Sequence, residues 1–228
     1  MKDRTRASAL LHAAITERRS VRAFLPDPVP PELLRAVFET AQRAPSNCNV
    51  QPWVVHVVSG EALAGLARAL RERATSGCAI EPDFPLTGAY PGVYRERQIA
   101  SAKAYFSAAG VERHAIEARQ ALALRNFTFF GAPHAAFMFM PDWAGWREAA
   151  DVGMYAQSLM LALHGHGLGS CAQGALGHYA NVVHEMLAVP TSLRLLFGLS
   201  FGYPHLESAI ARVHTDRAPV EVNHIFHE

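Results

Sequence analysis

Three short strand-like runs, Trp53 to Val58, His134 to Met140 and Leu193 to Phe201, are scattered through a chain whose other periodic segments have helical spacing. Strands that are few and separated by one or more helices predict an α+β or α/β layer fold, with helices covering a small sheet. Helical spacing runs over residues 8–18, with Leu10, Leu11, Ala14 and Ile15 on one face. It recurs through Leu33, Leu34, Val37, Phe38 and Ala41, where Pro30 and Pro31 suit the opening turn and Pro45 stops the helix. Further helices are expected over residues 61–75, 93–108, 111–126, 147–164 and 178–187. The run from Trp53 is rich in β-branched residues and reads as a buried strand. Residues 76–92 hold three prolines and three glycines and read as a long loop, a length often functional. The tail from Ala209 is polar and reads as mostly irregular. No internal repeat, Ser/Gly tract or charge block divides the chain, so residues 1–228 are expected to form one domain.

Charge and cysteine content remove several classes of function. The chain has 21 Lys and Arg against 20 Asp and Glu, a formal net charge of +1. A protein that binds nucleic acid by neutralising phosphates shows a basic excess or stripe, and neither is present. No apolar run reaches the roughly 20 residues that span a bilayer. The segment from Met1 to Ser8 is charged and lacks a signal peptide's apolar core. Cys48, Cys78 and Cys171 include no CxxC pair and indicate neither a disulfide frame nor a zinc knuckle. The expectation is a cytoplasmic protein with no nucleic-acid and no membrane partner.

Two segments carry candidate chemistry. Arg18-Arg19-Ser20-Val21-Arg22 places three guanidinium groups and a hydroxyl within five positions. Arginine binds phosphate bidentately and keeps its charge when desolvated. The alternative is a solvated basic helix end, favourable against the helix dipole. The second segment, Pro45 to Trp53, offers the amides of Asn47, Asn49 and Gln51 beside rigid Pro45, Pro52 and Trp53. Such a loop can read a ring edge bearing both N–H and C=O groups. The alternative is turn chemistry that merely ties the loop down.

In order, Arg18-Arg19-Ser20-Val21-Arg22-Ala23-Phe24, Pro28-Val29-Pro30, and Ala44-Pro45-Ser46-Asn47-Cys48-Asn49-Val50-Gln51-Pro52-Trp53 resemble the N-terminal signature of the nitroreductase family. Gly167-Leu168-Gly169-Ser170-Cys171, Gly202-Tyr203-Pro204 and Arg217-Ala218-Pro219 keep that family's order and spacing, so the resemblance runs from about residue 12 to 222. The segment 80–130, with Tyr94-Arg95-Glu96-Arg97 and Asn126 to Pro133, is similar to the nitrobenzoate-reductase-like branch. The resemblance implies a small central mixed sheet flanked by helices in an intertwined homodimer, and FMN in a cleft between subunits. It implies NADH or NADPH as electron donor and a small aromatic acceptor. By position it assigns Arg18, Ser20 and Arg217 to the FMN phosphate, with Arg19 beside them, and Arg22 to the pyrimidine edge of the flavin. Pro45, Ser46 and Asn49 would reach the flavin of the other subunit. Ala172, Gln173 and Gly174 would lie over the ring, with the Gly174 N–H near N5. The flavin carries the chemistry, so no side-chain acid, base or nucleophile is assigned. One departure stands in the tail: His214 takes the place of a more basic residue before Thr215-Asp216-Arg217, which implies weaker or pH-dependent phosphate binding.

Other features are decoys. Gly165-x-Gly167-x-Gly169 misses the GxGxxG spacing and follows a helix rather than a strand. His164 and His166 flank a helix end without nearby carboxylates, which argues against a metal site. His224, His227 and Glu228 read as a frayed polar terminus, Asp151 as a surface or capping residue on its helix, Cys171 as a small buried residue, and Leu159 to Leu163 as core or dimer interface. The competing functions are a flavin oxidase or dehydrogenase on the same scaffold, a flavin-binding protein without turnover, and a dimer that has lost FMN.

Overall fold

The computed structural model describes residues 2–227; Met1 and Glu228, the latter part of the expected frayed terminus, lie outside the described residues. In chain order the elements are α1 (Lys2–Glu17), α2 (Pro31–Ala41), β1 (Val54–Ser59), α3 (Gly60–Thr75), α4 (Gly92–Ala108), α5 (Ile116–Leu124), β2 (His134–Pro141), α6 (Trp146–Gly165), β3 (Gly169–Gln173), α7 (Ala180–Met186), β4 (Leu193–Gly202) and α8 (Val220–Asn223). Short 3₁₀ turns occupy Asn47–Asn49, Arg125–Gly131, Gly174–Gly177 and Ala209–Arg212. The strand order is β1-β2-β4-β3, and every neighbouring pair is antiparallel. The sheet is thus antiparallel rather than the expected mixed one; among the described residues the parallel contact of Ser20 with Ser170 of β3 is an isolated bridge outside the strands.

Helices cover both faces of the sheet, and β2 shows why. Its side chains alternate between two cores. Ala135, Phe137 and Phe139 pack with Leu63, Leu66 and Leu70 of α3. Ala136, Met138 and Met140 pack with Val37 and Ala41 of α2 and with Val152, Leu159 and Leu163 of α6. A strand sandwiched in this way must be apolar at every position, which is why His134 to Met140 has almost no polar residue. β4 reaches both cores by another route. The register shifts between Met138 and Phe139, so that Phe139 pairs with Leu195 and Met138 with Phe197. The extra residue reverses the facing of β4. Leu195 joins the first core, whereas Leu199 and Phe201 join the second.

Two sequence expectations change here. The strand beginning near Trp53 is at the sheet's edge rather than buried; of β1 only Val58 is buried. β3, which periodicity did not reveal, lies immediately after the glycine-rich end of α6. That end has a Schellman arrangement: the Leu168 N–H donates to the Leu163 carbonyl at 2.9 Å and the Gly167 N–H to the His164 carbonyl at 2.9 Å, with Gly167 at φ +75°.

The long loop 76–91 is anchored in its first half. Asp83 Oδ2 accepts from the Leu195 N–H at 2.5 Å and faces His184 Nε2 at 2.9 Å. Arg194 also donates to the Asp83 carbonyl.

Candidate functional site

The chain leaving α1 runs along the edge of β3. The Val21 N–H donates to the Ser170 carbonyl at 2.9 Å, and the same segment continues with Leu25 N–H to the Tyr203 carbonyl at 2.9 Å. Fixed in this way, Arg18, Arg19, Ser20 and Arg22 line a cleft of about 620 Å³. The tail closes it with His214, Thr215 and Arg217, α4 contributes Ser101 and α6 contributes Gln157. Four guanidinium groups therefore share one cleft with no carboxylate in its lining.

None of the four arginines forms a salt bridge among the described residues. Arg18 is held below the ordinary guanidinium value, by burial first and by the like charge of Arg217 second. Arg217 Nη1 is steadied by the Thr215 carbonyl at 2.8 Å and the Thr215 hydroxyl at 3.0 Å. Arg19 Nε donates to the Ala211 carbonyl at 3.0 Å, tying the tail to the end of α1. Like charges held together without a counterion are costly unless an anion completes them.

Arg22 lines the same cleft and also meets α4. Its guanidinium lies 5.2 Å from the ring centre of Tyr105 on α4, and its carbonyl accepts from Arg125 Nη2 at 3.1 Å. The Tyr105 hydroxyl is buried and has no hydrogen-bond partner among the described residues. Burial raises the Tyr105 phenol, against the opposing pull of Arg125 and Arg22. Beneath the arginines the Cys171 thiol is also pushed up by burial, which outweighs Arg22, the Ser20 hydroxyl and Arg18. It packs as a small apolar residue.

Pro45, Ser46 and Asn49 do not line this cleft. Their loop is exposed, and three of its non-glycine residues take left-handed backbone: Cys48 (φ 48°), Asn49 (φ 58°) and Gln51 (φ 50°). Such strain persists only when the surroundings impose it. Within the loop, Ser46 Oγ accepts from the Gln51 N–H at 2.9 Å. At its start Asp151, buried on α6, accepts from the Asn47 N–H at 3.1 Å. At its end Trp53 stacks on Tyr155 with ring centres 4.9 Å apart and donates to Gln42 Oε1 at 2.5 Å. Asp151 and Tyr155 are four residues apart, so one face of α6 holds the loop at two points. Asp151 is therefore neither the surface nor the helix-capping residue expected from sequence: it lies buried within α6, whose first turn is capped by Glu148, and holds a loop amide.

Ala172 and Gly174 lie exposed where β3 ends. Gln173 between them is turned inward. Its Nε2 donates to the Asn126 carbonyl at 3.0 Å, and its Oε1 accepts from the Ser200 hydroxyl. The Gln173 side chain is thus committed to the core, leaving only its backbone for a ligand. Sequence reasoning missed Tyr105, Ser101 and Gln157. No local pattern marks them: Ser101 and Gln157 enter the cleft from α4 and α6, and Tyr105 meets the Arg22 guanidinium.

The model of the nitroreductase family matches residues 15–203. The chain is 44% identical over 205 residues to nitroreductase NfnB of Mycolicibacterium smegmatis, covering 90% of this chain and 87% of that protein. It is 33% identical over 213 residues to a 4-nitrobenzoate reductase of a Nocardioides species, covering 92% and 86%. The crystal structure of the FMN-dependent nitroreductase NfnB from Mycobacterium smegmatis in complex with NADPH superposes with a TM-score of 0.93 at 40% identity, covering 97% of this chain and all of that one.

Proposed function

The chain belongs to the nitroreductase family, and on that premise we propose that it is an FMN-dependent oxidoreductase. It takes electrons from NADPH or NADH and reduces nitroaromatic or similar small, flat, electron-poor compounds by ping-pong turnover. The observation that carries this reading is the cleft of four arginines and Ser20 with no carboxylate. A phosphate monoester, with close to two negative charges, supplies the missing counterion. FMN, when bound, supplies the two-electron chemistry, and the protein supplies position and electrostatics.

Arg18, Ser20 and Arg217 hold the phosphate, with Arg19 bracing the tail. Arg22, which shares the cleft and rests against Tyr105, would take the pyrimidine edge, where its charge would offset the negative charge that develops on reduction. The backbone of Ala172, Gln173 and Gly174 lines the ring, and the exposure of Ala172 and Gly174 leaves that surface accessible. The working form is a homodimer in which Pro45, Ser46 and Asn49 of one subunit reach the flavin of the other. The apolar stripe of α1 supports this, because Leu10 is 64% and Leu11 58% exposed in the single chain. Trp146, 78% exposed at the start of α6, adds to it. Among the described residues no helix is long and apolar enough to cross a membrane; we place the enzyme in the cytoplasm.

Initial rates measured against NADPH and a nitroaromatic acceptor together test the reading. Parallel double-reciprocal lines, from protein whose heat-released cofactor runs as FMN, are expected. Intersecting lines, or release of FAD, contradict it.

A further inference from the structure

Gln173, between the two exposed residues at the end of β3, is only 3% exposed. Its side chain is the middle of a run of hydrogen bonds that joins the end of α5 to β4. Asn126 Nδ2 donates to the Ala123 carbonyl at 2.9 Å, so its Oδ1 is the end turned to Gln173. Gln173 Nε2 donates to that Oδ1 at 3.1 Å and to the Asn126 carbonyl at 3.0 Å, which uses both of its hydrogens. Gln173 Oε1 accepts from the Ser200 hydroxyl. Ser200 is fully buried and pairs with Cys171 across β3 and β4, which makes it a diagonal neighbour of Gln173 on the same face. Each amide in the run has one satisfied orientation; reversing either would set acceptor against acceptor.

The same turn also reaches the arginine cluster. Arg125, next to Asn126, donates to the Arg22 carbonyl at 3.1 Å. Two adjacent residues therefore hold the backbone of Arg22 and the side chain of Gln173. The turn itself is over-determined by its packing. Phe129 and Phe130 are buried and take left-handed backbone, with φ 54° and 56°, and non-glycine residues keep that conformation only where the surroundings impose it. A buried polar network in which every member is satisfied rigidifies the segments it joins.

We propose that Asn126 and Ser200 are positioning residues for the flavin chemistry: acting through the Gln173 amide, they fix the backbone of Ala172 to Gly174, while Arg125 fixes Arg22 at a set distance from it. This rests on the reading of the chain as an FMN-dependent nitroreductase. The Asn126 amide is spent at both ends, on Ala123 and Gln173, so its effect on the flavin passes through Gln173. Groups already in place when charge develops need no reorganisation at that moment, which is what such a run of hydrogen bonds supplies.

The test compares wild-type holoenzyme with Ser200→Ala, Asn126→Ala and the double variant. None of these changes alters a charge, so a shift in the flavin cannot come from a lost charge. FMN should remain bound, because the phosphate cluster is untouched. The flavin midpoint potential and the visible circular dichroism of the bound flavin should change in each variant. Flavin reduction by NADPH should slow about tenfold or more, since a misplacement of about 1 Å can cost about 10²-fold. Both residues act on one amide, so the double variant should lose less than the product of the single losses. Leu122→Ala removes a buried side chain of α5 outside the network; it should lower Tm and leave potential and dichroism unchanged. Should Asn126→Ala not fold, Ser200→Ala, which takes one oxygen atom from the core, carries the test alone. Unchanged potential and dichroism in the folded variants overturn the proposal, as does the same shift in Leu122→Ala. A wild type that holds FMN but is reduced by neither nucleotide defeats the nitroreductase reading instead, and the potential, set with dithionite, still decides the two residues. A wild type that binds no FMN overturns both.

Discussion

Replacing Gly169 with alanine should damage the phosphate cluster from the far side of β3. Gly169 does not have a left-handed backbone, so its requirement for glycine is steric. A Cβ built there lies 2.8 Å from Val21 Cγ2, 3.0 Å from Val21 Cβ and 3.1 Å from Val21 Cγ1. Carbon atoms sit comfortably at about 3.5–4.0 Å, so Val21 must withdraw by roughly 0.7 Å or more. Val21 is buried in the first core and has little room to retreat. The strain therefore falls on the Val21 N–H to Ser170 hydrogen bond and on the segment that carries Arg18, Ser20 and Arg22. Overpacking of this kind costs about 1–3 kcal/mol, or about 2–4 °C in Tm per kcal/mol in a chain of this size. FMN affinity should fall with it. Thermal unfolding and FMN titration of Gly169→Ala, Val21→Ala and the double variant form a complete cycle. Shortening Val21 removes the clash, so the double variant should recover at least about 1 kcal/mol relative to the sum of the single costs. Additive costs, or a Gly169→Ala protein as stable and as tight for FMN as wild type, would refute the reasoning.

Arg18→Ala should chiefly release FMN, whereas Arg22→Ala should keep much of it and lower both the flavin midpoint potential and the rate of NADPH-dependent reduction. An unchanged potential in Arg22→Ala would remove Arg22 from the flavin ring. Asp151→Ala leaves the Asn47 N–H without its acceptor and should cost about 1–3 kcal/mol together with turnover; Asp151→Asn, which keeps an acceptor, should restore most of both, and failure of that rescue counts against the clamp. His134 is held below the ordinary imidazole value by burial, and its Nε2 accepts from the Val29 N–H at 2.9 Å. The fold thus favours the neutral ring, a contribution present in full above the unfolded value of about 6.5 and lost as pH falls through and below it. His134→Gln should flatten the decline in Tm over that range, and an unaltered slope would show that His134 does not set it.

The phosphate cluster was legible in sequence because its core, Arg18 to Arg22, is local: five residues at one helix end carry their own chemical signature. The same locality made the α6 end and the apolar run of β2 readable. Residues that act across the fold were not. Ser101 and Gln157 come to the cleft, and Tyr105 to Arg22, through helix packing, which leaves no mark in their immediate neighbours. β3 was missed because Gly169-Ser170-Cys171-Ala172-Gln173 has neither β-branched residues nor alternation; its pairing partners, β4 and the Ser20 segment, supply the reason it is a strand. β1 was misjudged for the opposite cause, since Val54, Val55, Val57 and Val58 read as core while the edge position leaves most of them open. Gly167 and Gly169, set aside from sequence as a dinucleotide fingerprint because the spacing and the preceding helix are wrong, have separate duties in helix termination and packing.

Anaerobic titration of the purified protein at its flavin absorbance tests the central claim most directly. The claim predicts a yellow protein with FMN bound, whose visible band bleaches with one equivalent of NADPH or NADH per flavin and returns when a nitroaromatic is added. Protein that binds no flavin when FMN is supplied, or bound FMN that neither nucleotide bleaches, would contradict it.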